Sequence, residues 1–526
     1  MRDGSKPFSL SAAGRERIAV ALLLAVVMVP VAAFRLIDGD EGFYLMAARL
    51  IAEGKRPYAD FFICAMPLLS YVHGAVFTVL GAGWYAPRFV SCALAIGIGL
   101  LVFDYASFVT GRRSMAWLAV LLYLTSGMVL GWFTIVKTYG LAMLFLLAGL
   151  LVLEKRKRFS SLFAGVLIAL AAATRLYLVV VFACAAIYLL RLELSWRQRL
   201  REAALLAGGA VLGAIPLLPS ALADWQAFTF GTFRFHRVRV YGQSSFIGDF
   251  EQKWTILTSV LPLHGVDGAG SVQLAVLLVF AVAALVSRKT AQNSLAGYAW
   301  IMLFVTSLLP TPSFTQYFCM LVPFAIIETT RFLSTLELSK LTSLAIPAGV
   351  LYVLMGAGDA YRFTVDGAGV PGVTGSQPAE NWRIGNVQLL SSAIDSQGAN
   401  LGASWWPGYF VTTRTPIVPK MANDFGIRAA EHLSPEERER FHIITVPEIL
   451  RMIRKHEPRV FVAGNWAPRE AYLLEPNGYQ LVALVGTAGV FTHSGAQPAR
   501  LPREPSLKFL GPWAGPPPRQ TSPPER

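Results

Sequence analysis

Apolar runs of about 17 to 22 residues, each closed by a short polar or basic turn, recur along the chain from Ile18 to Gly356. Each is long enough to cross a hydrocarbon layer of roughly 30 Å as a helix. Runs near 18–35, 88–109, 115–132, 139–154, 159–174, 176–191, 202–219, 271–287, 295–310, 315–331 and 341–357 predict membrane spans, about eleven in all. Pro67 to Leu80 is apolar too, but with only about fourteen residues before Gly81 it suits an interfacial or re-entrant helix better than a span.

Basic residues decide how this thread is laid. If 67–80 does not cross, then Arg112-Arg113, Lys155-Arg156-Lys157-Arg158, Arg191 with Arg197, Arg199 and Arg201, and Arg288-Lys289 all fall on the cytoplasmic side, as the positive-inside rule expects. That choice puts 36–87, 219–270 and everything after about 358 outside. An ordinary second span with an inverted remainder is the alternative. A basic start (Arg2, Lys6, Arg15, Arg17) without a small-residue cleavage site makes the first run an uncleaved anchor with a cytoplasmic N-terminus. In the first outer loop, Phe43, Met46, Ala47, Leu50 and Ile51 share one face, so Glu41 to Glu53 reads as an amphipathic interfacial helix ended by Gly54 and Pro57. A second helix begins near Pro67 and packs Leu68, Tyr71, Val72 and Phe77.

After Gly356 the pattern changes. Residues 386–396 and 446–456 are helix-like, 459–464 and 479–485 strand-like, with turn signals at Pro458, Pro476-Asn477-Gly478 and Gly486. The expected organisation is therefore an all-α polytopic membrane domain over 1–357 and a small extracytoplasmic α/β domain over 358–497. A Pro-rich tail over 498–526 lacks the apolar content to fold. No internal repeat is present.

Composition narrows the classes. With 526 residues, 54% hydrophobic and 15% charged, the chain is no soluble enzyme. The net charge of +14 lies in turns between apolar runs, which points to membrane lipid and not to nucleic acid. Cys64, Cys92, Cys184 and Cys319 are scattered and mostly apolar in context, so neither a disulfide framework nor a zinc site is indicated.

The candidate chemistry begins where the first span ends, at Asp38-Gly39-Asp40-Glu41-Gly42. Carboxylates beside a membrane are costly unless they are solvated or used. Asp40 or Glu41 can take a proton from an acceptor hydroxyl as general base. Equally, Asp40 can be the N-cap of the interfacial helix, with Glu41 favouring the positive end of its dipole. Asp38 and Asp40 also form an Asp-x-Asp pair able to hold a divalent cation, a pattern frequent by chance. Lys137, with Tyr139 close by, and Arg175 stand at outer ends of spans against the charge rule; they suit a leaving phosphate, or they snorkel. Phe233-Arg234-Phe235-His236-Arg237-Val238-Arg239 interleaves basic and aromatic residues, fit for a lipid phosphate, a sugar face or anionic headgroups. Trp405-Trp406-Pro407-Gly408-Tyr409 reads first as buried packing.

The stretch Asp40-Glu41-Gly42-Phe43-Tyr44, then Gly54-Lys55-Arg56-Pro57-Tyr58-Ala59-Asp60-Phe61-Phe62, Pro67-Leu68 and Gly81 with Arg88, resembles the first outer loop of C-type glycosyltransferases. These include protein O-mannosyltransferases and the bacterial aminoarabinose lipid A transferases. Beyond about residue 110 the likeness is one of architecture, with Pro312 to Phe318, which contains Tyr317, near a late span. The resemblance implies inverting transfer of a sugar from a polyprenyl-phosphate donor to a glycan, lipid or protein acceptor at the outer face of a bacterial inner membrane. It implies that Asp40 is the catalytic base, and it makes Tyr44, Asp60 and Tyr317 candidate substrate contacts beside Lys137, Tyr139, Arg175, Arg234 and His236. One departure is Ala65-Met66-Pro67-Leu68 where several relatives have Lys-Pro-Pro, so no lysine contact carries over. A transporter or flippase of a lipid-linked saccharide is the rival reading; it would place ionisable residues at mid-span, and apart from Asp104 the spans here are nearly free of them.

Overall fold

A computed structural model describes residues 11–239, 246–261, 271–287, 293–337, 346–370, 378–464 and 472–493. The tail from 498, Tyr241, and Arg288 with Lys289 lie outside these residues. The chain divides into two compact units: Met1–Arg35, Tyr85–Leu218 and Gly242–Thr364 form one, and Leu36–Trp84, Pro219–Tyr241 and Val365–Arg526 the other.

Among the described residues the first unit contains helices and no strand. Its leading elements are α1 (Ala12–Phe34) in this unit and, after α2 (Gly39–Ala52) and α3 (Leu68–Leu80) of the other, α4 (Tyr85–Thr110). Then follow α5 (Arg113–Leu124), α6 (Gly127–Trp132), α7 (Thr138–Glu154), α8 (Ser160–Thr174), α9 (Val181–Leu190) and α10 (Trp196–Ala214). Among the described residues, three helices are long and apolar enough to cross a membrane by length and composition: Ala12–Phe34, Tyr85–Thr110 and Trp196–Ala223. Shorter apolar helices stand at 138–154, 160–174, 272–286 and 295–308, among others.

Four predicted runs are interrupted among the described residues, and one of them, 202–219, passes through a 3-10 turn over Ile215–Leu217. The run 115–132 breaks at Thr125-Ser126 because Gln273 reaches into the gap, donating to the Thr125 carbonyl at 2.7 Å and accepting the Gly127 N–H at 2.7 Å. The freed backbone groups are thereby satisfied away from water. The run 176–191 opens with a 3-10 turn over Leu176–Val180, and 315–331 opens the same way over Thr315–Leu321. Glycines set the spacing of α8 and α10: a Cβ on Gly165 would lie 2.1 Å from the Leu206 carbonyl oxygen, and one on Gly209 would lie 2.0 Å from that of Leu162. The two backbones touch there, as small residues allow between membrane helices.

The second unit gathers Leu36–Trp84 and Pro219–Tyr241 with the C-terminal segments. Its sheet has four strands in the order β1-β2-β4-β3: β1 (Gly402–Ser404), β2 (Val460–Ala463), β3 (Tyr479–Val485) and β4 (Ala488–His493). β1 and β2 run parallel, and the other pairs are antiparallel. The expected strands at 459–464 and 479–485 are β2 and β3; β1 and β4 were not legible. A separate apolar core joins Tyr58, Phe61, Phe62 and Ile63 of the first loop to Phe228, Phe230 and Phe235 of the second, and to Ala429, Phe441 and Ile443. Phe230 stacks on Phe441 with ring centroids 4.2 Å apart, a geometry worth about 0.5–1.5 kcal/mol beyond burial.

Candidate functional site

In the second unit the acidic stretch sorts itself by backbone geometry. Asp38 is extended (φ −80°, ψ 137°) and is the N-cap of α2; its Oδ1 accepts the Asp40 N–H at 3.0 Å. Glu41 completes a capping box, its Oε1 accepting the Asp38 N–H at 2.9 Å. Both are fully buried. The expectation that Asp40 is the N-cap is thus corrected: the cap lies two residues earlier, and the half-buried Asp40 carboxylate stands in the first turn without that task. Asp38, turned inward to cap, is poorly placed to hold a divalent cation with Asp40. Among the described residues no cluster of three or more His, Cys, Asp or Glu forms a metal cage.

The first turn of α2 is clamped. Trp406 donates its indole N–H to the Gly39 carbonyl at 2.8 Å, and a Cβ on Gly42 would lie 2.6 Å from that nitrogen. Trp84 and Trp382 pack on the same indole, at 6.0 and 5.3 Å between ring centroids. Trp405, Trp406 and Tyr409 are buried, as the packing reading expected. Tyr44 lies half-buried on α2. Asp60 accepts from its own neighbour Arg56, from the backbone N–H at 2.7 Å and from Nη2 at 3.0 Å, and that guanidinium holds its carboxyl below the ordinary range.

The second loop forms an open cleft of about 820 Å³ lined by Phe230, Phe233, Arg234, Arg237, Glu437 and Arg440 among others. Arg234 pairs with Glu437, which keeps that carboxyl below its ordinary value, and Arg440 grips Asp224 at 3.0 and 3.1 Å. His236 is exposed beside Phe235.

In the first unit, Lys137, Tyr139, Arg175 and Tyr317 come together. The chain turns tightly after α6 and presents the buried Lys137 at the N-cap of α7, its ammonium 4.8 Å from the Trp132 ring and 5.8 Å from Tyr139. Arg175, just past the C-terminal end of α8, lies over Tyr139 at 4.4 Å and over Tyr177 and Tyr317 at 4.9 Å, and donates to Thr138 Oγ1 at 2.8 Å. Sequence reasoning missed Trp132, Tyr177 and Arg35, the residue after α1, whose guanidinium lies 5.1 Å from Trp132 and 4.9 Å from Phe363. Arg35 was hidden because it follows a span directly and reads as an ordinary flanking charge. Arg88, part of the first-loop resemblance, caps α1, donating to the carbonyls of Ala32 at 3.2 Å and of Arg35.

Comparisons with known proteins agree with this architecture. The sequence model of glycosyltransferase family 87 matches residues 58–312. Among curated proteins none matches by sequence. The crystal structure of ArnT from Cupriavidus metallidurans bound to undecaprenyl phosphate is similar with a TM-score of 0.66 at 13% identity, covering 92% of this chain and 99% of that one. The same protein in the apo state gives 0.65 at 15% identity over 91% and 98%. The resemblance read from the first loop therefore holds for the whole chain at the level of fold: this is the fold of the polytopic C-type glycosyltransferases.

Proposed function

We propose that this protein transfers a sugar, with inversion, from a polyprenyl-phosphate carrier to a glycan, lipid or protein acceptor at the outer face of a bacterial inner membrane, crossing that membrane about eleven times. The observation that carries this reading is the grouping of Lys137 and Arg175 among Trp132, Tyr139, Tyr177 and Tyr317 in the first unit. Cations held against aromatic faces are fixed in place before any negative charge arrives. A lipid phosphate gains negative charge as it leaves, and fixed cations beside helix N-terminal amides stabilise that change. That the similar ArnT structure holds undecaprenyl phosphate supports the choice of carrier.

In this mechanism Asp40 accepts the proton of the acceptor hydroxyl while its oxygen bonds to the anomeric carbon. The bond from that carbon to the phosphate oxygen breaks, its electron pair leaves with the lipid phosphate, and the configuration inverts. Asp40 suits the role better than Glu41, whose carboxylate is committed to the capping box. Tyr139 and Tyr317 beside Arg175, Tyr44 on α2 and His236 in the second loop are the proposed substrate contacts. Asp60 and Arg234 are paired with Arg56 and Glu437, and would contact substrate through the donor and acceptor sites those pairs leave over.

Purified protein incubated with undecaprenyl-phosphate-linked sugars should release undecaprenyl phosphate. Lys137→Ala and Arg175→Ala should each lose about 1–3 kcal/mol of transition-state stabilisation for the donor, the scale of a charged hydrogen bond. Unchanged donor kcat/KM in both variants would remove the cluster from the site.

A further inference from the structure

Asp424 is a carboxylate that the transfer just described does not use, and it lies along the helix that carries Asp40. Asn423 opens the 3-10 helix Asp424–His432: its Oδ1 accepts the Phe425 N–H at 3.2 Å, and its amide nitrogen reaches Cys64 Sγ at 3.9 Å. Phe425 meets Phe43 with ring centroids 4.6 Å apart. Phe43 stands three residues after Asp40, so the two share a face of α2, and the segment 423–425 runs beside that face. With Asn423 on Cys64 and Phe425 on Phe43, Asp424 sits between two contacts to the first-loop segment that carries Asp40. The Oδ1 of Asp424 is sealed from solvent and, among the described residues, has no hydrogen-bond partner in another residue.

We propose that Asp424 is a positioning residue for Asp40: the two carboxylates form a coupled pair in which Asp424 keeps the proton, and its ionisation sets the charge against which Asp40 works as a base. The inference rests on Asp40 being the base, but the coupling is measurable without any substrate. An oxygen with no donor is costly to charge, and a like charge nearby adds to the cost, so such pairs lose their protons in separate steps. Burial moves the Asp424 carboxyl up to about 7, with Arg428 opposing and Asp40 adding to the rise. The groups that face it are Asp40 on α2, Cys64 in the loop before α3, Arg239 acting on that thiol, and Arg428 on its own helix. Burial pushes the Cys64 thiol up to about 12, so it stays neutral while Asp424 titrates.

Infrared difference spectra of the full chain in nanodiscs, titrated between pH 5 and 9, test this. A protonated-carboxyl band should vanish near pH 7 in the wild type, be absent in Asp424→Asn and return in Asp424→Glu. In Asp40→Asn its midpoint should fall by about half a unit or more, because a neighbouring negative charge is gone. A band that survives Asp424→Asn overturns the assignment, and a midpoint unmoved by Asp40→Asn overturns the coupling. If Asp424→Asn does not fold, the Asp40→Asn and Asp424→Glu titrations decide alone. Failure of the base reading is a separate result: it appears as undiminished transfer by Asp40→Asn, whatever the spectra give.

Discussion

At the scale of the residue, Asp38, Asp40 and Glu41 illustrate how local geometry divides labour among carboxylates that look alike in sequence. Capping belongs to whichever residue is extended with its carbonyl already in the helix, and that residue is Asp38. Substitution separates the roles. Asp38→Ala should cost about 0.5–2 kcal/mol of stability, the usual worth of an N-cap, while each folded molecule keeps its turnover. Asp40→Asn should melt close to the wild type, because it caps nothing, yet lose on the order of 10²-fold or more in transfer if it removes a general base. Thermal melts and turnover measured on both variants decide it; equal turnover in wild type and Asp40→Asn would sink the mechanism. Asp424 adds a pH-dependent term to the same comparison. Its carboxyl is raised in the folded protein, so the unfolded chain ionises first as pH rises, and the stability present at low pH is lost up to about pH 7. Asp424→Asn should therefore raise Tm at pH 8 relative to the wild type and change it little at pH 4.

At the scale of the element, close approach between helices depends on residues without side chains. α8 and α10 meet through Gly165 and Gly209, each facing a backbone carbonyl of the other helix. A side chain at either position has nowhere to go, so Gly209→Leu should separate the pair and lower both the folded yield and Tm, whereas the same change at Gly208, where only the Leu162 side chain lies within 4.0 Å, should be tolerated. Melting temperatures of the two variants in one detergent test the contrast. Which elements were legible follows from their length and periodicity. The long apolar runs and the amphipathic α2 announce themselves, and β2 and β3 lie between clear turn signals. β4 does not: Ala488 to Thr492 is buried throughout, so it lacks the alternation that marks a half-exposed strand, and β1 is only three residues long. The break at Thr125 was hidden because its cause, Gln273, is distant in sequence. The cage around Arg175 was half legible: its charge stood out against the positive-inside rule and Tyr317 was a candidate on other grounds, but that Tyr317 meets Arg175 shows only in the fold, and Tyr177, two residues on, read as part of an apolar run.

At the scale of the whole molecule, the pairing of α1 with α4 bears on how the chain is threaded. Arg17 near the start of α1 pairs with Asp104 near the end of α4 at 3.2 Å, and Arg88 near the start of α4 caps the end of α1. The two helices are antiparallel. If both cross the membrane, they cross in opposite directions, and the chain between Phe34 and Tyr85 makes an even number of crossings. A single crossing at 67–80 does not satisfy this. Two crossings would need α2 and α3, of 14 and 13 residues, each to span the membrane. Length alone does not decide, since the expected span at 295–310 is itself a 14-residue helix, but α2 carries a buried capping box and a clamped first turn in place of a lipid-facing surface. Zero crossings is the solution that fits, and it leaves Lys155-Arg156-Lys157-Arg158 on the cytoplasmic side, where basic turns are favoured. Reporter fusions after residues 60, 239 and 493 should all read extracytoplasmic, and one after residue 157 cytoplasmic. A cytoplasmic signal at 239 with an extracytoplasmic one at 157 would invert the molecule and remove Asp40 from the face where the acceptor is proposed to arrive.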